Sequence, residues 1–241
     1  ASVSRGFSLP AISETLNADG TINPNIKPEN GYNFEVGSKV YLFNKRLYTD
    51  VAVYRMEIKD LLVAQRVGND QYVGMNAGKT LHEGVEWSAR YNQYFSGNWH
   101  LAPYMATSFG RYRFEEFNNN GTDYSGNKLT GVPSTKVNAG FTLGMPLRLY
   151  LSADYYYTGS LPMNDANTAF ANSYNLLNAK IGWSYFREYG LSIGASFGIN
   201  NLTDTHYASM VLVNATGTNP RYYYPGLPVN YYGNVNISYV F

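Results

Sequence analysis

Residue types able to do acid–base or metal chemistry are few in this chain of 241 residues, and they are poorly spaced for it. His82, His100 and His206 stand far apart with no ligand-like interval, so a zinc or copper centre would need all three to converge in space. Glu115 and Glu116, with Asp123 downstream, are the nearest approach to an acid–base pair, and their polar surroundings read instead as a solvated loop margin. No serine has a histidine and an acidic or amide partner in a nucleophile motif. Cysteine is absent, which removes disulfides and thiolate metal sites. The glycine-rich stretches lack the following helix that a phosphate cradle requires. The chain therefore offers no catalytic residue, no metal set and no cofactor site, and it reads as a protein that is not an enzyme.

The chemistry that remains is recognition. Arg221 lies beside Tyr222, Tyr223 and Tyr224, one cation with three phenols. That combination holds an anionic, partly aromatic ligand through charge-assisted hydrogen bonds and stacking. The same tyrosines also fit loop packing or an interfacial aromatic belt. Arg66, Arg111 and Arg113 fall toward the same rim and join the candidate ligand-binding set. A net charge of +1 without a basic stripe gives no footprint for nucleic acid.

The elements that position these residues are strands. Tyr231, Val235, Ile237, Tyr239 and Phe241 share one parity, while Tyr232, Asn234, Asn236 and Ser238 fill the other. A two-residue period with one apolar and one polar face fits a strand between hydrocarbon and water; a soluble sandwich strand can alternate in the same way, but it rarely finishes on an aromatic residue at the last position of the chain. Aromatic residues make up 16% of the chain and charged residues only 15%, below the roughly 25% of soluble domains. No stretch approaches the roughly 20 apolar residues of a membrane helix. The negative mean hydropathy fits a barrel whose every second strand residue is polar.

Short turns at 44–46, 96–98, 146–148 and 187–190 alternate with long connections near 10–30, 66–70, 117–132, 159–172 and 213–226. This is the pattern of an antiparallel meander with tight periplasmic turns and extended outer loops. Ten strands are expected, at about 1–9, 31–43, 47–65, 72–95, 99–116, 135–146, 149–158, 173–186, 191–212 and 229–241. Leu191, Ile193, Ala195, Phe197 and Ile199 are assigned to lipid, as are Leu177, Ala179, Ile181 and Trp183, with Val85 and Trp87. Ser196, Gly198, Lys180, Gly182, Glu86 and Arg90 face the lumen, so charge collects on one parity. The third and fifth strands are ambiguous, and a bulge is expected in either.

Ser4 to Pro10, Lys27 to Gly37, Asn76-Ala77-Gly78 with Gly84-Val85-Glu86, Gly131-Val132-Pro133, and Asn201-Leu202-Thr203-Asp204 with Tyr207 occur in that order ahead of a terminal Phe241. Together they resemble TonB-dependent outer-membrane receptors. The resemblance implies an all-β transmembrane barrel of about 22 strands, located in the outer membrane of a Gram-negative bacterium. Such a receptor imports a scarce nutrient, most often a ferric siderophore, with energy passed through TonB. Residues 1–241 then correspond to the C-terminal portion of the barrel, with the plug domain and TonB-binding segment expected upstream. No charged n-region with an apolar h-region opens the chain, so either a signal was removed or the true N-terminus is expected upstream. Tyr239 and Phe241 are implied as the signal read by the barrel-assembly machinery. Leu227-Pro228-Val229-Asn230 departs from the Arg that many members carry there. A passive porin-like channel and an adhesive surface barrel are the alternative functions.

Overall fold

Period-two alternation allows each strand to satisfy its backbone with its neighbours while presenting unlike faces to unlike solvents. The computed structural model describes residues 1–68, 71–76, 78–119, 121–186, 190–215 and 222–240, with the side chains of residues 64, 66–68, 71, 185 and 186 outside the description. Its wall consists of β1 (Ser2–Ser8), β2 (Glu29–Leu42), β3 (Leu47–Lys59), β4 (Lys79–Tyr91), β5 (His100–Glu116), β6 (Thr135–Gly144), β7 (Leu149–Thr158), β8 (Tyr174–Phe186), β9 (Leu191–Asn200) and β10 (Asn230–Tyr239). Each strand is hydrogen-bonded antiparallel to its neighbour in chain order. Among the described residues β1 and β10 remain unpaired edges, so the sheet is an open section of wall.

Register decides the faces. Val36, Val53, Val85 and Phe109 lie side by side across β2 to β5. Ala179 pairs with Ile199 and Ile181 with Phe197 across β8 and β9. Ile181 and Phe197 are 48% and 49% exposed, whereas their sequence neighbours Gly182 and Gly198 are buried. These exposed apolar residues share one face of the sheet, the face that the sequence pattern assigns to lipid.

Three wall strands are shorter than the sequence predicts. The alternation beyond Lys59 belongs to a separate hairpin, in which Leu62–Gly68 pairs with Gln71–Asn76. The break is local chemistry. Asp60 takes a positive φ of 57°, and its carbonyl accepts Asn76 Nδ2 at 2.7 Å. Asn76 also exchanges hydrogen bonds with the Lys27 backbone, accepting from its N–H at 2.8 Å and donating to its carbonyl at 2.9 Å. The predicted 47–65 and 72–95 strands therefore end at Lys59 and begin at Lys79. The ninth ends at Asn200 rather than residue 212, because Asn201 and Asp204 both adopt positive φ and turn the chain. The expected bulge is in the fifth strand. Lys79 pairs with Glu116 but Thr80 pairs with Phe114, leaving Glu115 as the extra residue.

Between lipid and lumen the wall has little interior, so the hydrophobic core forms among the loops. Phe114, Phe117 and Leu129 are buried together, with Leu61, Val63, Met75, Tyr112, Tyr124 and Val132 packed against them. The short turns follow the sequence: residues 43–45 carry φ of 50–67°, and one-turn 3₁₀ segments occupy Ser96–Asn98 and Pro146–Arg148. Most of the fourth turn, at 187–189, lies outside the described residues.

Candidate functional site

The polar face of the wall is built from tyrosines laid over small residues. Tyr150 covers Gly182, where a Cβ would approach its Cζ to 2.3 Å, and Tyr232 covers Gly198 at the same distance. Only glycine leaves room for a ring lying flat on the neighbouring strand, so the glycine-rich strands are tightly packed. The Tyr54 and Tyr112 hydroxyls share a hydrogen bond of 2.8 Å, and the Tyr104 hydroxyl donates to the Asp154 carboxylate. Lys180 stands 5.5 Å from the Tyr150 ring centre, and Lys39 pairs with Asp50 at 3.4 Å. A depression of about 500 Å³ on this wall includes Glu35, Lys39, Asp50, Glu86 and Lys136. The resulting surface is hydroxyl-rich and carries both signs of charge, suited to a solvated passage.

At the outer end, Ala208–Val211 pairs with Tyr223–Pro225 in a small hairpin of its own. The Ser209 hydroxyl donates to the Tyr224 and Pro225 carbonyls, each at 3.2 Å. Against this hairpin lies a pocket of about 380 Å³ lined by Phe170, Tyr174, His206, Tyr207, Tyr223 and Pro225, among others. Tyr174 and Tyr207 pack ring to ring, 4.9 Å between centroids, and Tyr207 covers Gly226. Tyr222, Tyr223 and Tyr224 are 38%, 59% and 51% exposed. Aromatic faces and an imidazole around a concave space can take a flat, aromatic or amphipathic ligand.

Three loops are tied together beside this pocket by one carboxylate. Asp165, 7% exposed, accepts from the Thr130 hydroxyl at Oδ1 and from Asn214 Nδ2 at Oδ2, while its carbonyl accepts Asn127 Nδ2 at 2.8 Å. Burial pushes its carboxyl above the ordinary value, against the opposing effect of those two donors. A second link joins the same loops, where the Lys128 N–H donates to Asn167 Oδ1 at 2.7 Å.

The residues singled out from sequence do not form one cluster. Tyr222 to Tyr224 sit at the mouth hairpin, and Tyr223 lines the pocket. Arg221 and Phe241 lie outside the described residues, as does the side chain of Arg66, whose backbone is in the 62–76 hairpin. Arg111 and Arg113 share the outward parity of Phe109, and Arg113 pairs with Glu83 at 3.6 Å and Glu115 at 4.0 Å. No hydrogen bond, ion pair or ring contact joins either arginine to Tyr222–Tyr224. Tyr239 closes β10 with its side chain 56% exposed. Sequence reasoning did not single out Tyr174, Tyr207 and Phe170 as pocket residues. Tyr207 was marked only as part of a motif, and spacing alone does not bring residues 170, 174 and 207 together.

Residues weighed for chemistry have structural employment. His82 Nε2 bonds the Thr80 hydroxyl at 3.1 Å, and His100 stacks on Tyr94 at 4.3 Å. Glu115 pairs with Lys79 at 2.7 Å. Ser125 hydrogen bonds hold the Asp123 carboxyl below its ordinary value. Among the described residues no three histidines and carboxylates gather as a metal set. Asn201, 3% exposed, locks its turn by accepting the Thr205 N–H at 2.8 Å and donating to the Thr205 and Leu227 carbonyls. It is a structural element of the strand end, as the sequence predicts.

The family profile described as TonB dependent receptor-like, beta-barrel matches residues 1–202. The chain belongs to this family. The family comprises receptors and transporters, not enzymes. Among its relatives is the probable TonB-dependent siderophore receptor PiuA of Acinetobacter baumannii, 26% identical over 206 residues, covering 81% of this chain and 25% of the relative. The catecholate siderophore receptor Fiu of Escherichia coli K12 is 24% identical over 237 residues, covering 95% of this chain and 28% of the relative. The chain thus spans about a quarter of the length of these curated relatives. Solved structures share the fold. The PiuA crystal structure superposes with a TM-score of 0.67 at 19% identity, over 92% of this chain and 30% of that one. The closed form of Fiu gives 0.69 at 17% identity, over 99% and 32%. The copper transporter OprC gives 0.71 at 14% identity, over 98% and 36%, so this wall architecture does not by itself specify a cargo.

Proposed function

We propose that this chain is the C-terminal barrel portion of an outer-membrane receptor that captures a ferric siderophore at its outer mouth and imports it with energy passed through TonB. The observation that carries the proposal is the aromatic pocket lined by Met163, Phe170, Tyr174, Tyr207 and Tyr223, set at the end of a hydroxyl-rich lumenal wall. The names of the curated relatives support a siderophore as cargo. The open edges of β1 and β10 support a larger barrel, closed by strands from the rest of the receptor, since lipid does not tolerate unpaired edges. A plug domain upstream would fill that barrel and respond to TonB. Capture, plug remodelling and passage require no covalent chemistry.

Ligand binding tests the pocket. In the full-length receptor, Tyr207→Ala and Tyr223→Ala should weaken binding of a ferric catecholate siderophore by about tenfold, the loss of roughly one stacking or cation–π contact. Thr49→Ala on the lipid face should leave binding unchanged. Full affinity in both tyrosine variants would remove this pocket from the binding site.

A further inference from the structure

The lumenal register leads from the mouth pocket into the wall. Glu86 pairs with Ser108, Ser108 with Lys136, Lys136 with Thr158 and Thr158 with Tyr174, one cross-strand row through β4 to β8 on the polar parity. Tyr174 ends the row at the mouth, where it packs on Tyr207 in the aromatic pocket. Lys136 stands two strands away from it, roughly 10 Å at about 4.8 Å per strand. The Gly159 N–H donates to the Thr135 carbonyl at 2.8 Å and closes the strand ends beside Lys136.

Lys136 borders two cavities. One, of about 270 Å³, lies against the Ala208–Val211 strand of the mouth hairpin and has Lys136, Thr158 and Tyr174 in its lining. It shares Ala171, Asn172, Tyr174 and Ala208 with the aromatic pocket, so the two adjoin. The other is the depression of about 500 Å³ on the lumenal wall, where Glu35, Asp50 and Glu86 outnumber Lys39, itself paired with Asp50. Lys136 makes no ion pair among the described residues. Its carbonyl accepts the Thr107 hydroxyl at 3.0 Å, a bond that fixes the backbone and does not involve the ammonium. A cation without a counter-charge, placed between an aromatic cavity and an acidic depression, attracts an anion entering from the mouth. The carboxylates beyond it repel the same anion.

We propose that Lys136 is a specificity-determining residue, binding a carboxylate carried by the ligand while the ligand's ring lies against Tyr174 and Tyr207. This deepens the siderophore reading above and rests on it. The ligand class is then an iron chelate whose aromatic chelating group bears a free acid on a short tether. One ammonium matches one carboxylate, and a charge-assisted hydrogen bond is about twice as strong as a neutral one. An ester at the same place loses that bond and keeps the stacking.

Two probes isolate the contact: the ferric complex of dihydroxybenzoylglycine and that of its methyl ester, which share the chelating ring and differ in the acid. Calorimetry measures their binding to the purified full-length receptor. The receptor should hold the acid about tenfold more tightly than the ester. Lys136→Gln should abolish that preference by weakening the acid alone, its unchanged affinity for the ester showing that the variant is folded, and Lys136→Arg should keep the preference. Lys180→Gln removes another lumenal cation, one that pairs with Ser152 lower on the wall, and should leave the preference intact. Failure of the unaltered receptor to bind either complex would count against the siderophore reading, and the proposal would fall with it. Equal affinity for the two complexes, a preference that survives Lys136→Gln, or one lost as readily in Lys180→Gln would overturn the proposal alone.

Discussion

Asp165 and Asn214 bind each other twice, the Asp165 N–H donating to Asn214 Oδ1 and Asn214 Nδ2 donating to Asp165 Oδ2, both at 3.0 Å. This reciprocal pair clasps two outer loops, and Thr130 and Asn127 attach a third to the same residue. Asp165→Ala keeps the backbone bonds to Asn127 and Asn214 Oδ1 but should loosen the three segments together, because Thr130 and Asn214 Nδ2 lose the carboxylate they donate to, each part-buried bond costing about 1–3 kcal/mol. Hydrogen exchange of segments 127–131, 162–167 and 211–215 should quicken in concert while β6 to β9 remain protected. Faster exchange in one segment only would contradict a shared junction.

The same residue sets a pH dependence. Its folded-state carboxyl titrates above the ordinary value of 3.8, so between those two values the folded loops hold a proton that the unfolded chain has released. Stability of the junction should therefore rise as pH falls from neutral through the raised value and level off below 3.8. Asp165→Asn should flatten the profile. An unchanged slope in that variant, measured by exchange between pH 4 and 7, would assign the effect elsewhere.

Face assignment predicts opposite outcomes for neighbours in one strand. Phe197→Arg in β9, or Ile181→Arg in β8, sets a cation against hydrocarbon at a cost of about 2–4 kcal/mol near the midplane. Ser196→Arg enters the lumen and should fold and assemble almost normally. Heat-modifiable gel mobility reads the difference, and equal folding of all three variants would refute the parity.

Much of this wall was legible from the sequence because alternation reports which solvent each face meets, and Leu191 to Asn200 alternates without exception. What escaped depends on contacts remote in sequence. Leu61 and Val63 continue an apolar pattern past Lys59, and only the bonds of Asn76 to Asp60 and Lys27 reveal that the chain has left the wall. Arg55 and Arg111 depart from the charge parity, since the register sets them on the same face as Val53 and Phe109. The mouth pocket joins Phe170 to Tyr207 and Tyr223, and no local spacing rule announces it. The NLTD turn was legible because a polar side chain in a tight turn bonds its own backbone.

Ring-over-glycine packing makes a double-variant prediction. Gly198→Ala drives a methyl into the Tyr232 ring, an overpacking cost of about 1–3 kcal/mol, and should lower the melting temperature of the assembled barrel. Adding Tyr232→Ser should recover part of the loss. A second substitution whose effect simply adds to the first would show that the two residues are not coupled.

Phe241 is proposed as an assembly signal, with Tyr239 beside it in the same parity. Phe241→Asp in the full-length receptor should reduce the amount assembled far more than it lowers melting of the receptor that does assemble. A packing role alone resembles a core Phe→Ala change of about 3–5 kcal/mol, and would appear as a lower melting temperature at normal surface levels.

Energy-coupled import is the central claim. Uptake of a radioiron-loaded ferric catecholate siderophore should be measured in cells carrying the full-length receptor as their only importer for it, with and without TonB. The account predicts saturable uptake that requires both proteins. Uptake that persists without TonB, or receptor-dependent leakage of unrelated small solutes with no capture of the siderophore, would contradict it.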